Sequence, residues 1–143
     1  PQTSDTQSAA TDAPVLQGKR FLCAEDNALN AEILTELLKI EGASCTICEN
    51  GKEIVDAFMR SAVGDYDMIL MDVQMPVMNG YEATRAIRES HHPLAQTIPI
   101  IAMTANAFSD DIQASFNAGM NGHVSKPVEM SVLEKAIRSI DKH

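Results

Sequence analysis

The stretch YDMILMDVQMP, residues 66–76, joins a short apolar run to an acid and then to a loop that contains a proline. Its apolar run, MILM at 68–71, is typical of a strand that is buried on both faces of a sheet. Asp72 follows directly and therefore lies at the tip of this strand. A single acid there is as consistent with the cap of a turn or helix as with a binding site. Its meaning depends on the rest of the chain.

The chain from Lys19 onward alternates short apolar runs with amphipathic segments. The predicted strands are RFLCA (20–24), SCTICE (44–49), DMILM (67–71), IPIIAMT (98–104) and GHVSK (122–126). The predicted helices are ALNAEILTELLKIEG (28–42), GKEIVDAFMRSA (51–62), GYEATRAIRES (80–90), SDDIQASFNAG (109–119) and EMSVLEKAIRSI (129–140). This alternation predicts an α/β domain with a single doubly wound, five-stranded parallel sheet that helices cover on both faces.

The first predicted helix shows one apolar face, formed by Leu29, Ile33, Leu37 and Ile40. Before the first strand, residues 1–17 are rich in Ser, Thr, Ala, Pro and Gln and have no apolar period. This composition predicts a disordered linker or tail, followed by a folded domain over residues 18–143.

Composition and charge exclude several classes of function. The 143 residues suit one domain, and a hydrophobic content of 45% is enough for a core. The net charge of −9 argues against a nucleic-acid surface, which needs clustered Lys and Arg. No stretch reaches the roughly 18 apolar residues of a membrane span, and no secretory leader is visible. We therefore expect a cytoplasmic domain without membrane contact of its own.

Three cysteines, an odd number, argue against a disulfide framework. Cys45 and Cys48 form a C-x-x-C motif within the second predicted strand. Residues three apart on a strand face opposite sides of the sheet. A metal or redox role for these two residues as a pair is therefore disfavoured.

Polar side chains stand at the tips of four predicted strands. Glu25 and Asp26 follow the first strand, Asp72 the third, Thr104 ends the fourth, and Lys126 ends the fifth. The carboxyl ends of parallel strands share one edge of a sheet, where ligands bind at the point of strand-order reversal. The sequence therefore predicts three carboxylates, a hydroxyl and an ammonium group at one rim.

Three neighbouring carboxylates cannot all stay ionised without help. A pair about 4 Å apart repels by about 4 kcal/mol at an effective dielectric of about 20. Either one acid is protonated or a cation joins them. Oxygen ligands at an open edge favour Mg²⁺ before Ca²⁺ or Zn²⁺. With an ammonium group and a hydroxyl nearby, this describes a phosphoryl-transfer site in which a carboxylate forms an acyl phosphate.

Four motifs in order, Glu25-Asp26, MDVQMPVMNGYEATRAIR (71–88), IAMTA (101–105) and VSKP (124–127), resemble the receiver domain of two-component response regulators. The resemblance extends from Lys19 to Asp141. It implies a CheY-like, flavodoxin-like (βα)5 fold with strand order 2-1-3-4-5. It also implies Mg²⁺ as the cofactor, with Mn²⁺ as a substitute.

The resemblance assigns an acceptor and a set of metal ligands. Asp72 would accept a phosphoryl group from a phosphohistidine on a histidine kinase or a histidine phosphotransfer domain. Asp26, Asp72 and the backbone carbonyl of Gln74 would bind the metal ion directly. Glu25 would act largely through water. The domain itself would then be a phosphoacceptor with autophosphatase activity.

The remaining assignments concern the response to phosphorylation. Lys126 would pair with the phosphoryl oxygens, and the Thr104 hydroxyl would report their presence. His123 occupies the switch position where many receivers have Tyr or Phe, so the switch is expected to be weaker or differently coupled. Gln74 and Asn106 lie where the family's side chains tune the phosphate lifetime. Because amides are poor bases, we expect slow to moderate hydrolysis.

Alternatives remain for the parent protein and for the chemistry. The linker, the start at Pro1 and the lack of a DNA-binding domain after Ile140 favour the end of a hybrid sensor histidine kinase, whose other parts can be membrane-anchored. A stand-alone regulator is the alternative for the parent protein. The sequence does not decide whether the domain forms a homodimer through its fourth and fifth helices. A metal-dependent phosphohydrolase lacks its second acid, because Gln74 stands two residues after Asp72. A flavodoxin-like cofactor module is disfavoured because Glu25 and Asp26 would repel a phosphate.

Overall fold

The computed structural model describes residues 16–75, 77–105, 109–126 and 128–141. Its strands are β1 Arg20–Ala24, β2 Ser44–Cys48, β3 Met68–Asp72, β4 Ile100–Thr104 and β5 Gly122–Ser125. Its helices are α1 Ala28–Ile40, α2 Gly51–Arg60, α3 Gly80–Glu89, α4 Ser109–Ala118 and α5 Met130–Asp141. The ends of these elements differ from the predicted ones by at most two residues. No helix in the described ranges is long and apolar enough to cross a bilayer.

The strands form one parallel sheet in the order β2-β1-β3-β4-β5. Leu22 of β1 lies opposite Thr46 of β2 on one side and Ile69 of β3 on the other. The chain moves from β1 outward to β2 and then returns to β3, so the strand order reverses between β1 and β3. The predicted fold class and the implied strand order are confirmed, and the tips of β1 and β3 lie side by side.

Two apolar cores cover the two faces of the sheet. The core beneath α2 and α3 includes the fully buried side chains of Leu22, Ile54, Phe58, Ile69, Met71, Ile87 and Ile100. The core beneath α1 and α5 includes those of Phe21, Leu38, Leu70, Ile101, Leu133 and Ile137. Burial of each such side chain contributes about 1.5–3 kcal/mol. Neighbours along a strand point into opposite cores, so the register of each strand, and hence its tip, is fixed.

Helix α1 packs on the sheet with a different face from the apolar one that its sequence shows. Its buried residues are Ala31, Leu34 and Leu38. The side chains of the other face are exposed by 63%, 48% and 76% for Leu29, Ile33 and Ile40. Both sets recur at helical spacing, so periodicity alone does not choose between them. Leu29, Ile33, Ile40 and the half-buried Leu37 are called the α1 apolar face below.

The described chain begins inside the folded domain. Leu16 has no exposed surface and belongs to the core beneath α1 and α5. The Gly18 N–H donates to the Gly42 carbonyl at 2.9 Å, which fastens this segment to the turn after α1. Leu16, which the sequence places at the end of the linker, is thus a core residue. Residues 1–15 of the predicted linker lie outside the described residues.

Arg88, in the last turn of α3, joins two loops to this helix. Its Nε donates to the Gly119 carbonyl at 3.0 Å, and its Nη1 donates to the Ala95 and Ile98 carbonyls at 3.1 and 2.8 Å. Its Nη2 donates to Asn121 Oδ1 at 2.8 Å. Burial lowers the pKa of this guanidinium. The partners are neutral oxygens, so the side chain acts here as a planar clamp of several donors.

The start of α3 is packed against the backbone of Asp72. The Gly80 N–H donates to the Val73 carbonyl at 2.9 Å, and a Cβ atom at Gly80 would overlap the Asp72 carbonyl oxygen. Asn79 and Glu82 complete the helix start as a capping box, with hydrogen bonds of 2.9 and 3.0 Å between side chains and backbone N–H groups. Glycine at position 80 therefore lets α3 begin directly behind the tip of β3.

Val77, in the loop between β3 and α3, has a left-handed backbone. Its φ is 69°, and among the described residues it is the one non-glycine residue with positive φ. A left-handed conformation costs an L-residue about 1–2 kcal/mol, and a β-branched side chain suits it least. The side chain is 77% exposed, so little packing offsets this cost.

We predict that Val77→Asn raises the free energy of unfolding by about 1 kcal/mol, because Asn tolerates the left-handed region better than Val. Urea unfolding followed by circular dichroism measures the change. Val63→Asn is the matched control, since Val63 is 63% exposed and its own φ is not positive. It should change stability by less than about 0.5 kcal/mol. Equal effects of the two substitutions would contradict the assignment of strain to position 77.

Candidate functional site

The polar residues at four strand tips meet at one edge of the sheet. Asp72 is the last residue of β3 and Thr104 the last of β4, while Glu25 and Asp26 follow β1 and Lys126 follows β5. All of them line a cleft of about 380 Å³, together with Asn27, Asn30, Val73, Gln74, Met103 and Ala105. The structure thus brings together the charged and hydroxyl side chains that the sequence places at the strand tips.

Backbone hydrogen bonds extend the sheet beyond the strands and fix these residues. The Glu25 N–H donates to the Cys48 carbonyl at 2.9 Å, which continues the pairing of β1 with β2. The Lys126 N–H donates to the Thr104 carbonyl at 2.8 Å, which continues the pairing of β5 with β4. Each side chain therefore starts from a backbone position that the sheet determines.

The ammonium group of Lys126 lies between two carboxylates. Its Nζ is 3.0 Å from Asp72 Oδ2 and 3.4 Å from Glu25 Oε1. Burial opposes the charge on Lys126, but the hydrogen bond and attraction of Asp72, followed by those of Glu25, raise its pKa above the usual value. The side chain of Lys126 therefore remains charged and balances part of the negative charge of the cleft.

Two of the carboxylates are almost completely buried. Glu25 and Asp72 are exposed by only 3% and 2%. The Asn27 N–H donates to Glu25 Oε2, and the Gln74 N–H donates to Asp72 Oδ1, each at 3.2 Å. Burial and the charge of Asp72 raise the pKa of Glu25, against the opposing effects of the Asn27 N–H and Lys126. The cleft thus favours a positive ligand close to Glu25.

Glu25, Asp26 and Asp72 form a group that fits a metal ion. Each offers a carboxylate oxygen, and these atoms lie within 4.8 Å of one another. Three carboxylates against the single ammonium of Lys126 leave an excess of negative charge. The donors are all oxygen, and Asp26 is exposed, so bound water can complete the coordination. Such a set fits Mg²⁺, which prefers oxygen ligands and keeps several of its waters.

Of the other predicted site residues, Thr104 and Gln74 lie at the described part of the cleft, whereas His123 does not. Thr104 is 7% exposed at the rim of the cleft, and Gln74 lines it. His123 is half-buried in β5 opposite Ala102 of β4, and it does not line the described part of the cleft. Asn106 lies outside the described residues.

Asn27 is a site residue that the sequence reading did not single out. Its side-chain Oδ1 accepts the Asn30 N–H at 2.9 Å and caps α1, while its own N–H binds Glu25 Oε2. An Asn immediately before the first residue of a helix is a typical N-cap signal. That signal was available in the sequence, although the bond to Glu25 was not.

An apolar groove of about 400 Å³ adjoins the cleft on the side of α1. Its polar end is formed by Glu25, Asn30 and Lys126. Its apolar lining consists of Ile33, Leu34, Leu37, Met103, Ala105 and Val128. Two residues of the α1 apolar face, Ile33 and Leu37, therefore line a groove that continues into the charged cleft.

Comparison with known proteins gives matches over the whole folded region. A protein-family model described as "Response regulator receiver domain" matches residues 21–138. Hybrid signal transduction histidine kinase I of Dictyostelium discoideum is 38% identical over 123 residues, which are 85% of this chain and 7% of that protein. Probable histidine kinase 2 of Oryza sativa subsp. japonica is 36% identical over 138 residues, covering 89% of this chain and 13% of that protein. This chain thus spans a small part of these relatives' length.

Solved structures agree with these matches. The receiver domain of sensor histidine kinase PA1611 from Pseudomonas aeruginosa PAO1, solved with a magnesium ion in its active site cleft, is 34% identical with a TM-score of 0.76 over 88% of this chain and 99% of that chain. A chain of the co-crystal structure of the Saccharomyces cerevisiae histidine phosphotransfer protein Ypd1 with the receiver domain of Ssk1 is 30% identical, with a TM-score of 0.71 over 83% of this chain and 86% of that chain. Because the receiver model matches far more than half of the chain, this protein belongs to the receiver domain family of two-component response regulators.

Proposed function

We propose that this receiver domain accepts a phosphoryl group from a phosphohistidine onto Asp72, with Mg²⁺ bound beside it, and so relays a two-component signal. The observation that carries the proposal is the contact of the Asp72 carboxylate with Lys126 Nζ at 3.0 Å, beside the carboxylates of Glu25 and Asp26. An acid that faces a cleft with both an ammonium group and two spare carboxylates has the partners that phosphoryl transfer requires.

The transfer forms one bond to phosphorus and breaks another. A carboxylate oxygen of Asp72 attacks the phosphorus atom in line with the P–N bond of the phosphohistidine. As the P–O bond forms, the P–N electron pair returns to the imidazole nitrogen, which takes up a proton from solvent. The product is an acyl phosphate on Asp72. Lys126, already in contact with Asp72 Oδ2, is close enough to bind the incoming phosphoryl oxygens.

Glu25, Asp26 and Asp72 are the side chains that would hold Mg²⁺, or Mn²⁺ in its place, with the backbone carbonyl of Gln74 as a further ligand. When bound, the ion neutralises charge on the carboxylates and on the phosphoryl oxygens. The magnesium ion in the cleft of the PA1611 receiver domain supports this assignment. The raised pKa of Glu25 supports it as well, because a buried acid of this kind gains most from a nearby cation.

Thr104 and His123 are the proposed switch residues. The Thr104 hydroxyl would bind the phosphoryl group, and its carbonyl is already bonded to the Lys126 N–H. His123 lies in the neighbouring strand and would follow the movement of Thr104. Gln74 and Asn106 would set the lifetime of the acyl phosphate on Asp72. Because amides are poor bases, they would activate water weakly, and hydrolysis of the acyl phosphate would be slow to moderate.

We predict that acetyl phosphate with Mg²⁺ adds a single phosphoryl group, about 80 Da, to the wild-type chain and none to Asp72→Asn. Asn has the shape of Asp but lacks a nucleophilic carboxylate. Intact mass spectrometry measures the addition, and the bond should resist acid and break in base.

Asp56→Asn is the matched control, since Asp56 is an exposed acid on α2, away from the cleft. It should be phosphorylated like the wild type. Phosphorylation of Asp72→Asn to the same extent would disprove the assignment. Many turnovers of ordinary phosphate esters would favour a phosphohydrolase instead.

We predict that Mg²⁺ stabilises the wild-type fold, by about 2.7 kcal/mol at one hundred times its dissociation constant. Asp26→Asn should lose most of this effect, because it removes a ligand, while its exposure makes the substitution tolerable to the fold. Thermal unfolding across a magnesium titration measures both.

Glu36→Gln removes an exposed acid from α1 outside the carboxylate group and serves as the control. It should respond to Mg²⁺ as the wild type does. The metal assignment fails if the unfolding temperature of the wild type does not change with Mg²⁺, or if Asp26→Asn responds equally.

We also propose that the domain is part of a hybrid histidine kinase in the cytoplasm and exchanges phosphate with a histidine phosphotransfer domain. The names of the relatives and the complex of Ypd1 with the Ssk1 receiver support this. A donor histidine must approach Asp72, so its protein must cover the neighbourhood of the cleft. The exposed Ile33 lines the groove that adjoins that cleft and offers apolar surface for such a contact.

We predict that Ile33→Asp lowers phosphotransfer from phosphorylated Ypd1 by at least about tenfold, since a charge would be buried in the contact. Phosphorylation by acetyl phosphate should stay unchanged, because that small donor needs no docking. Transfer of radiolabelled phosphate measures the first reaction, and intact mass the second.

Ile40→Asp is the matched control. Ile40 is 76% exposed on the same helix, but seven residues further on, at about 1.5 Å per residue, it lies about 10 Å from Ile33 and further from the cleft. It should retain transfer. Equal losses in both variants, or a loss with acetyl phosphate as well, would contradict docking on the half of α1 near the cleft.

A further inference from the structure

Two cysteines that the cleft does not use lie in contact beneath it. Cys23 is in β1 and Cys45 in the neighbouring β2, and their sulfur atoms are 3.0 Å apart. In the strand pairing, Cys23 lies opposite Ile47 and Cys45 opposite Phe21, so the two sulfurs meet across a diagonal. Both side chains belong to the core beneath α1 and α5. Cys48, one residue beyond Ile47, points into the other core.

We propose that Cys23 and Cys45 are a redox site that forms a reversible intrachain disulfide with hydrogen peroxide as the oxidant. A disulfide requires sulfurs about 2.05 Å apart, so closure needs about 1 Å of approach. In the described sheet β2 is an edge strand, so β1 is the one strand whose backbone hydrogen bonds must adjust when the two sulfurs approach. Formation of this disulfide does not require phosphorylation of Asp72.

The two thiols differ in ways that assign their roles. Cys45 is half-buried on the edge strand, whereas Cys23 has no exposed surface. The hydrogen bond between the two sulfurs lowers the pKa of Cys45, and burial raises the pKa of Cys23. Cys45 is therefore the thiol that meets the oxidant, because thiolate character and exposure govern reactivity. Cys23 is the resolving thiol.

The chemistry balances with hydrogen peroxide alone. The Cys45 thiolate attacks one peroxide oxygen, the O–O bond breaks, and the leaving hydroxide takes up a proton to form water. This leaves a sulfenic acid on Cys45. The Cys23 sulfur then attacks the Cys45 sulfur, the S–O bond breaks, and the departing hydroxide combines with the thiol proton as a second water. Two thiols are oxidised and one peroxide is reduced.

The disulfide would fasten β2 to the strand that leads into the cleft. Glu25 follows β1 directly, and its N–H is already bonded to the Cys48 carbonyl at the end of β2. Disulfides of proteins in reducing compartments are mostly transient and redox-sensing rather than structural. A pair held in contact on adjacent strands suits such reversible formation.

The test treats the reduced 143-residue chain with hydrogen peroxide, blocks the remaining thiols with N-ethylmaleimide and maps the peptides by mass spectrometry. We expect the wild type to lose two of its three thiols and about 2 Da, with Cys23 joined to Cys45. Dithiothreitol should restore all three thiols. The same treatment in guanidinium should lose this selectivity, because the strands no longer hold the pair together.

Cys48→Ser is the matched control and should form the disulfide as the wild type does. Cys45→Ser should form none, and Cys23→Ser should stop at a Cys45 sulfenic acid that dimedone captures. Circular dichroism checks folding, and Cys23→Ala replaces Cys23→Ser if the buried hydroxyl prevents it. Three free thiols in the peroxide-treated wild type, a disulfide that contains Cys48, or the same pairing in guanidinium would each overturn the proposal.

Discussion

The cleft depends on one ammonium group held between two carboxylates that have almost no contact with water. Lys126 Nζ lies 3.0 Å from Asp72 and 3.4 Å from Glu25, and the N–H groups of Asn27 and Gln74 bind the other oxygens of these acids. Charges removed from water need such partners, since otherwise the acids would take up protons. Even with these partners the site keeps an excess of negative charge, and this excess favours a positively charged ligand.

The sheet makes this arrangement possible because it fixes the tips of separate strands at one edge. Side chains at the tips of β1, β3, β4 and β5 meet there, although Glu25 and Lys126 lie 101 positions apart in the sequence. The two cores hold each strand in register, and a shift of one residue would exchange the cores of its side chains. The electrostatics of the cleft therefore depend on the packing of the sheet. Each carboxylate keeps its position only while the strand that precedes it keeps its register.

Topology explains which parts of the molecule the sequence predicts well. Alternating apolar runs predict the strands and helices, and the tips of parallel strands must share an edge, so Glu25, Asp72 and Lys126 could be grouped without coordinates. The orientation of α1 could not be predicted, because apolar residues cover more than one stripe of that helix. The contact of Cys23 with Cys45 could not be predicted either. It depends on the register of two strands, which periodicity alone does not give.

Arg88 joins three segments at one end of the domain. Its donors lie in one plane at fixed angles, and they bind the carbonyls of Ala95, Ile98 and Gly119 at the same time. These oxygens cannot move separately without breaking a bond, so the end of α3, the loop before β4 and the turn before β5 behave as one stiff block. A displacement of any one of these three segments would therefore strain the hydrogen bonds of Arg88 to the other two.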